Sequence, residues 1–133
     1  MRYLRERVLT ASPAQRVAML YDRLALDLTR AASCEPATTS AIAPATPFID
    51  HAVQIVVELR ASLDHSAGDI ADNLAGLYGY LLRELLAVRG GSAERLPGVI
   101  IVVERLRDAW TQAAAAVSSG PGARSGDAVA WVS

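Results

Sequence analysis

From Pro13 to Val117 the apolar residues recur at three- and four-residue intervals, and the runs are broken where proline, glycine or a polar cluster intervenes. That spacing places one side of each run on a single face of an α-helix. Several short rods of this kind must pack against one another to hide their stripes, which restricts the chain to an all-α architecture. Ser12-Pro13-Ala14-Gln15 opens the first rod. The Ser12 hydroxyl can accept from the Gln15 amide, Pro13 lacks a donor that would be orphaned there anyway, and Gln15 can reach back. Val17, Leu20, Tyr21, Leu24 and Leu28 then form the inward stripe, with Arg16, Arg23, Asp27 and Arg30 on the other side and Met19 and Leu26 off the stripe.

Ser33 to Pro47 is rich in Ala, Thr and Pro and reads as a linker, since Pro36, Pro44 and Pro47 remove donors and bias their predecessors away from helix. Thr46 can cap the second helix with Pro47 at its first position, and Ile49, Ala52, Val53, Val56, Leu59 and Leu63 face inward. The polar turn Asp64 to Asp69 is short enough to make the second and third helices antiparallel neighbours. The third carries two rows, Ile70, Leu74, Leu77, Leu81, Leu85, Val88 and Ala71, Ala75, Tyr78, Leu82, Leu86, before Gly90-Gly91 stops it. Val99 to Val103 is β-branched enough to suit a strand. It runs without a turn signal into Leu106, Trp110, Ala113 and Val117 at helical spacing, so it reads as a fourth helix that starts or kinks at Pro97-Gly98. The expected fold is an antiparallel four-helix bundle, with helices at about 13–33, 47–63, 68–89 and 97–117, a short mobile N-terminal segment and a disordered C-terminal tail. One domain covers 1–117, and 118–133 is a flexible tail whose apolar Ala128-Val129-Ala130-Trp131-Val132 has no evident role.

With 133 residues the chain can bury one core without staples. The lone Cys34 cannot form a disulfide within the chain and suits a reducing cytosol. A net charge of −1 argues against nucleic acid, which selects clustered positive charge. The 13 basic residues are all Arg, a pattern that fits coding bias in a GC-rich genome. No apolar run is long enough to enter a membrane, and the charged Arg2, Arg5, Glu6 and Arg7 are not followed by a secretory core. No phosphate loop, nucleophile elbow or metal-ligand spacing is present, so neither catalysis nor a cofactor is expected. His51 and His65 read as solvated surface residues, and Asp69 and Asp72 as complements to a helix N-terminus.

Four stripes do not use up the apolar residues. Met19, Leu26, Phe48, Ile55, Val57, the second row of the third helix, Ile100 and Ile101 exceed one seam's needs. Part of the surplus widens the core; the rest is expected to line grooves for a partner, or to self-associate, which leaves a homodimer open.

Three blocks sharpen that expectation: Tyr3 to Pro13 leading into Met19-Leu20-Tyr21-Asp22, Ile70-Ala71-Asp72-Asn73-Leu74 leading into Leu77-Tyr78-Gly79-Tyr80, and Leu106-Arg107-Asp108-Ala109-Trp110-Thr111-Gln112-Ala113. In this order, over roughly Tyr3 to Val117, they resemble the flagellar secretion chaperone family FliS. The resemblance implies a cytoplasmic, non-enzymatic helical bundle that binds the disordered C-terminal region of flagellin and prevents premature polymerisation. It further implies presentation of that cargo to the cytoplasmic domain of the flagellar type III export gate. By position, it assigns flagellin binding to Tyr3, Val8, Met19, Leu20, Tyr21, Asn73, Leu74, Leu77, Tyr78 and Tyr80, with Trp110 matching a near-terminal tryptophan. Gly79 departs from the family's common aspartate, and the Pro-rich linker and Pro97-Gly98 depart from its more helical segments. The residues alone also allow a generic helical adaptor for another amphipathic segment.

Overall fold

The structure, a computed structural model, describes residues 12–34 and 45–119, with side chains to 116. The expected mobile segment with Tyr3 and Val8, most of the Pro-rich linker and the tail from 120 onward lie outside the described residues. Among the described residues four helices form an antiparallel bundle: α1 Pro13–Ser33, α2 Thr46–Ala61, α3 Asp69–Arg89 and α4 Leu96–Ser119. Short 3-10 turns at His65–Ala67 and Ala93–Arg95 introduce α3 and α4.

Local chemistry accounts for the helix ends. At α1 the capping box is complete, with the Gln15 amide donating to Ser12 Oγ at 3.2 Å and the Ser12 amide donating to Gln15 Oε1 at 2.9 Å. At α2 the helix already includes Thr46, Ala45 holds the cap position and no side chain caps it; Pro47 sits in the first turn. The expected Thr46 cap is therefore replaced by a helical turn one residue earlier. In the α2–α3 connection the Ser66 amide donates to Asp64 Oδ1 at 3.0 Å, and Gly68 takes φ +85°, a conformation costly for other residues. Asp69 and Asp72 occupy the first turn of α3, where its dipole favours them. Gly91, at φ +117°, closes α3 while the Ser92 amide bonds back to the Ala87 carbonyl at 2.9 Å. Pro97 lies in the first turn of α4, so the helix starts there, with no need for a kink.

The core is built from Val17, Tyr21, Leu24 and Leu28 on α1, Ile49, Ala52, Ile55, Val56 and Leu59 on α2, Ala71, Tyr78, Leu81, Leu85 and Val88 on α3, and Leu96, Val99, Val103 and Trp110 on α4. Four assignments change. Ile55, Ala71 and Tyr78, counted in the surplus from sequence, are buried, whereas Ile70 of the first α3 row is 47% exposed. The reason is geometric: α2 packs closely on both α1 and α3, so its apolar face is wide, and the inward face of α3 straddles its two rows. Leu26, Val57, Leu86 and Ile101 do remain exposed.

The four sides of the bundle are unequal. α1–α2, α2–α3 and α1–α4 pack closely, whereas α3 and α4 meet sparsely. Ion pairs reinforce two of the tight sides, Arg107 to Asp22 at 2.7 Å across α4–α1 and Arg89 to Asp50 at 2.5 Å across α3–α2. Arg95 to Glu84 at 2.7 Å ties the turn before α4 to α3, at the connected end of the loose side. These exposed pairs orient the rods more than they stabilise them.

Two glycines interrupt α3. A Cβ added at Gly76 meets nothing within 4 Å, and one at Gly79 meets only Arg83 Nη1 at 3.6 Å. Gly76→Ala should therefore raise unfolding free energy by about 1 kcal/mol, the ordinary helix-propensity difference. Chemical denaturation checks this, and a lower midpoint would show that position 76 needs glycine for a reason other than packing.

Candidate functional site

Antiparallel order brings the starts of α1 and α3 and the late part of α4 to one end of the bundle. There the loose α3–α4 side opens into an apolar groove of about 230 Å³. It is lined by Tyr21 from α1, Ile70 and Leu74 from α3, and Leu106, Ala109, Trp110 and Ala113 from α4. Helical spacing makes the walls, since 70 and 74 stand one turn apart, as do 106, 109/110 and 113. Small residues at 109 and 113 leave the room that a larger side chain would fill. No charged residue lines the groove. Its surface suits an apolar helix face or an extended apolar segment.

Aromatic packing builds the inner wall. Trp110 lies against Tyr21 with ring centroids 6.2 Å apart and planes tilted by 53°, within the range where aromatic rings attract. Behind it the Tyr21 and Tyr78 hydroxyls share a hydrogen bond of 2.5 Å, both residues being only 1% exposed. Burial disfavours the phenolate form and raises both acidities' midpoints above the usual tyrosine value, with the neighbouring Tyr21 adding to the rise at Tyr78. The sign of the consequence follows. Folded values above the unfolded value of about 10 mean that this contribution to stability is complete below about pH 10 and is lost as pH rises beyond it. Alkaline titration should show Tyr21 and Tyr78 ionising together with loss of helical circular dichroism, and tyrosinate absorbance from both before any unfolding would contradict the sealed pair.

Of the residues assigned from sequence, Tyr21 and Leu74 line the groove. Tyr78 lies behind Tyr21, where it supports the wall. Asn73, Leu77 and Tyr80 continue the spacing of Ile70 and Leu74 along α3; Asn73 and Tyr80 are exposed and Leu77 is half-buried, so the stripe leads away from the groove along the helix. Met19 and Leu20 are half-buried on α1 and are not part of the lining. Tyr3 and Val8 lie outside the described residues. Ile70, Leu106, Ala109 and Ala113 join the site on structural grounds alone. Leu106 lies in the block Leu106 to Ala113 picked out from the sequence, whereas an alanine there signifies only good helix propensity.

Away from the groove, the α1–α2 interface holds a polar pair that sequence pattern misplaces. Asp27, expected on the solvent side, is 1% exposed; His51, expected to be fully solvated, is 41% exposed and donates through Nδ1 to Asp27 Oδ2. Arg23 approaches the same carboxylate at 3.8 Å. A buried carboxylate needs such partners, and Asp27 sits beside Leu28 and one helical turn from Leu24, both buried.

Among the described residues no helix is long and apolar enough to cross a membrane. A family model described as flagellar protein FliS matches residues 1–117. Comparisons with curated proteins and with solved structures return no significant match.

Proposed function

Because this chain belongs to the flagellar protein FliS family, a family of flagellar export chaperones and not of enzymes, we propose that its cargo is the disordered C-terminal region of flagellin. Held in the cytoplasm by this protein, that region is kept from premature polymerisation and delivered, as a complex, to the cytoplasmic domain of the type III export gate. The observation that carries the reading is the apolar groove on the open α3–α4 side, set among residues of the helix 3 and helix 4 blocks. An apolar, uncharged furrow between helices is the form of site that takes one face of an amphipathic segment. A disordered cargo gains its order on binding, so the surface must be long enough to offset that entropy. The stripe Asn73, Leu77 and Tyr80 supplies such an extension beyond the groove. Under this proposal Leu74 and Tyr21 contact cargo within the groove, Met19 and Leu20 and the Tyr3–Val8 segment contribute beside it, and Tyr78 acts by packing. Neither nucleic acid nor membrane insertion enters this reading, and the apolar side chains left exposed at Leu26, Val57, Leu86 and Ile101 are compatible with a homodimer.

Co-purification with full-length flagellin and with flagellin lacking its C-terminal region tests the proposal. Retention of the full-length protein alone is expected. Equal retention of both would place the contact elsewhere, and retention of neither would remove flagellin as the cargo.

A further inference from the structure

The apolar stretch Ala128 to Val132 is absorbed neither by the fold nor by the proposed function, and it lies beyond the family match, which stops at 117. We propose that this stretch, with Trp131 as its anchor, docks in cis into the groove between α3 and α4 and competes there with cargo. Position argues for it first. α4 itself supplies the groove wall through Ala113 and ends at Ser119, six residues on, so the chain leaves the bundle about 9 Å from the groove. Eleven residues separate Ser119 from Trp131, and the intervening Gly120-Pro121-Gly122-Ala123-Arg124-Ser125-Gly126 is glycine-rich. A tether of this length and composition has a root-mean-square reach of roughly 20 Å, more than enough to turn back to Trp110.

Chemistry argues second. Ala128-Val129-Ala130-Trp131-Val132 carries no charged side chain, matching a groove walled by Ile70, Leu74, Leu106 and Trp110. The space over Ala109 admits a side chain of indole size, and an aromatic buried there hides about 150 to 250 Å² from water. Effective concentration argues third: a short tether holds its end at about millimolar concentration, so even a weak contact is populated. The segment then shields the empty groove and gives way to a cargo that binds more tightly. Docking itself does not need the flagellin reading; its role as a competitor of cargo does rest on it.

The test uses the full chain labelled with 5-fluorotryptophan, which reports on Trp110 and Trp131. The Trp131 fluorine signal, identified by its loss in Trp131→Phe, is expected away from the free-tryptophan position. It should return there in Ala109→Phe, which fills the groove from an exposed helix position. A Trp131 signal at the free position in the unaltered chain overturns the proposal. So does a signal that becomes free on dilution, since the segment would then occupy a second copy. Removing 120–133 should strengthen binding of a flagellin C-terminal peptide about two- to tenfold, the release expected for a tethered competitor of millimolar strength. Unchanged affinity overturns the competition, while loss of all peptide binding in both forms counts against the flagellin reading and leaves the fluorine result to decide docking.

Discussion

Replacing Leu74 by glutamate should lower affinity for the proposed cargo, the flagellin C-terminal region, about a hundredfold, equivalent to about 2.7 kcal/mol, with the bundle still folded. Leu74 is half-buried and lines the groove, so a carboxylate there would have to lose its water beneath an apolar segment without a cation to meet it. The groove lining contains no Arg, and nothing in it would offset that desolvation. In the free protein the same carboxylate can turn toward solvent, which is why the cost falls on binding more than on folding. Ala109→Phe should weaken the same interaction by occupying the space and not by adding charge. Calorimetric titration of both variants, with circular dichroism to verify folding, checks the pair of outcomes. A folded Leu74→Glu protein with undiminished affinity would show that cargo does not use the groove.

The second large effect is on stability. His51→Leu should cost about 3 kcal/mol, because it removes the closest partner of a carboxylate that is sealed between α1 and α2. Arg23 remains, at 3.8 Å, which keeps the expected loss at the lower end of the range for a broken buried pair. Asp27→Leu combined with His51→Leu should recover most of that loss, since the buried charge and its partner disappear together and the apolar replacement at position 27 would join Leu24 and Leu28. Urea denaturation of the wild type, both single variants and the double gives the coupling energy directly. Coupling near zero would mean that water already satisfies Asp27 and that His51 is the solvated surface residue its sequence context suggests.

That pair also marks where sequence reading stops. Capping at Ser12, termination at Gly91 and the helical reading of Val99 to Val103 rest on neighbours within a few residues, and each is legible. Burial depends on which helices lie next to which, information that periodicity within one helix does not contain. Asp27 looks solvent-facing when its charge is weighed against α1 alone, whereas α2 covers it and supplies His51. Ile70 looks like core because its row is apolar, yet the side it faces is the one left loosely packed. Of the candidate site, Tyr21 and Leu74 are recoverable by likeness to a family, as are the flanking Asn73, Leu77 and Tyr80. Ala109 and Ala113 are not, because their contribution is the space they leave, and an alanine in a helix ordinarily signifies only good helix propensity.

The unequal sides of the bundle bear on how quickly this protein can work. With three flanks zipped and the fourth already parted at one end, the proposed guest would meet a berth whose walls are built before it arrives. Beyond releasing its own tethered end, the host would have little rearrangement to make, so ordering would fall almost wholly on the guest. Capture would then follow the frequency of encounters and not a slow opening step, and unloading would have to be driven by whatever next grips the guest.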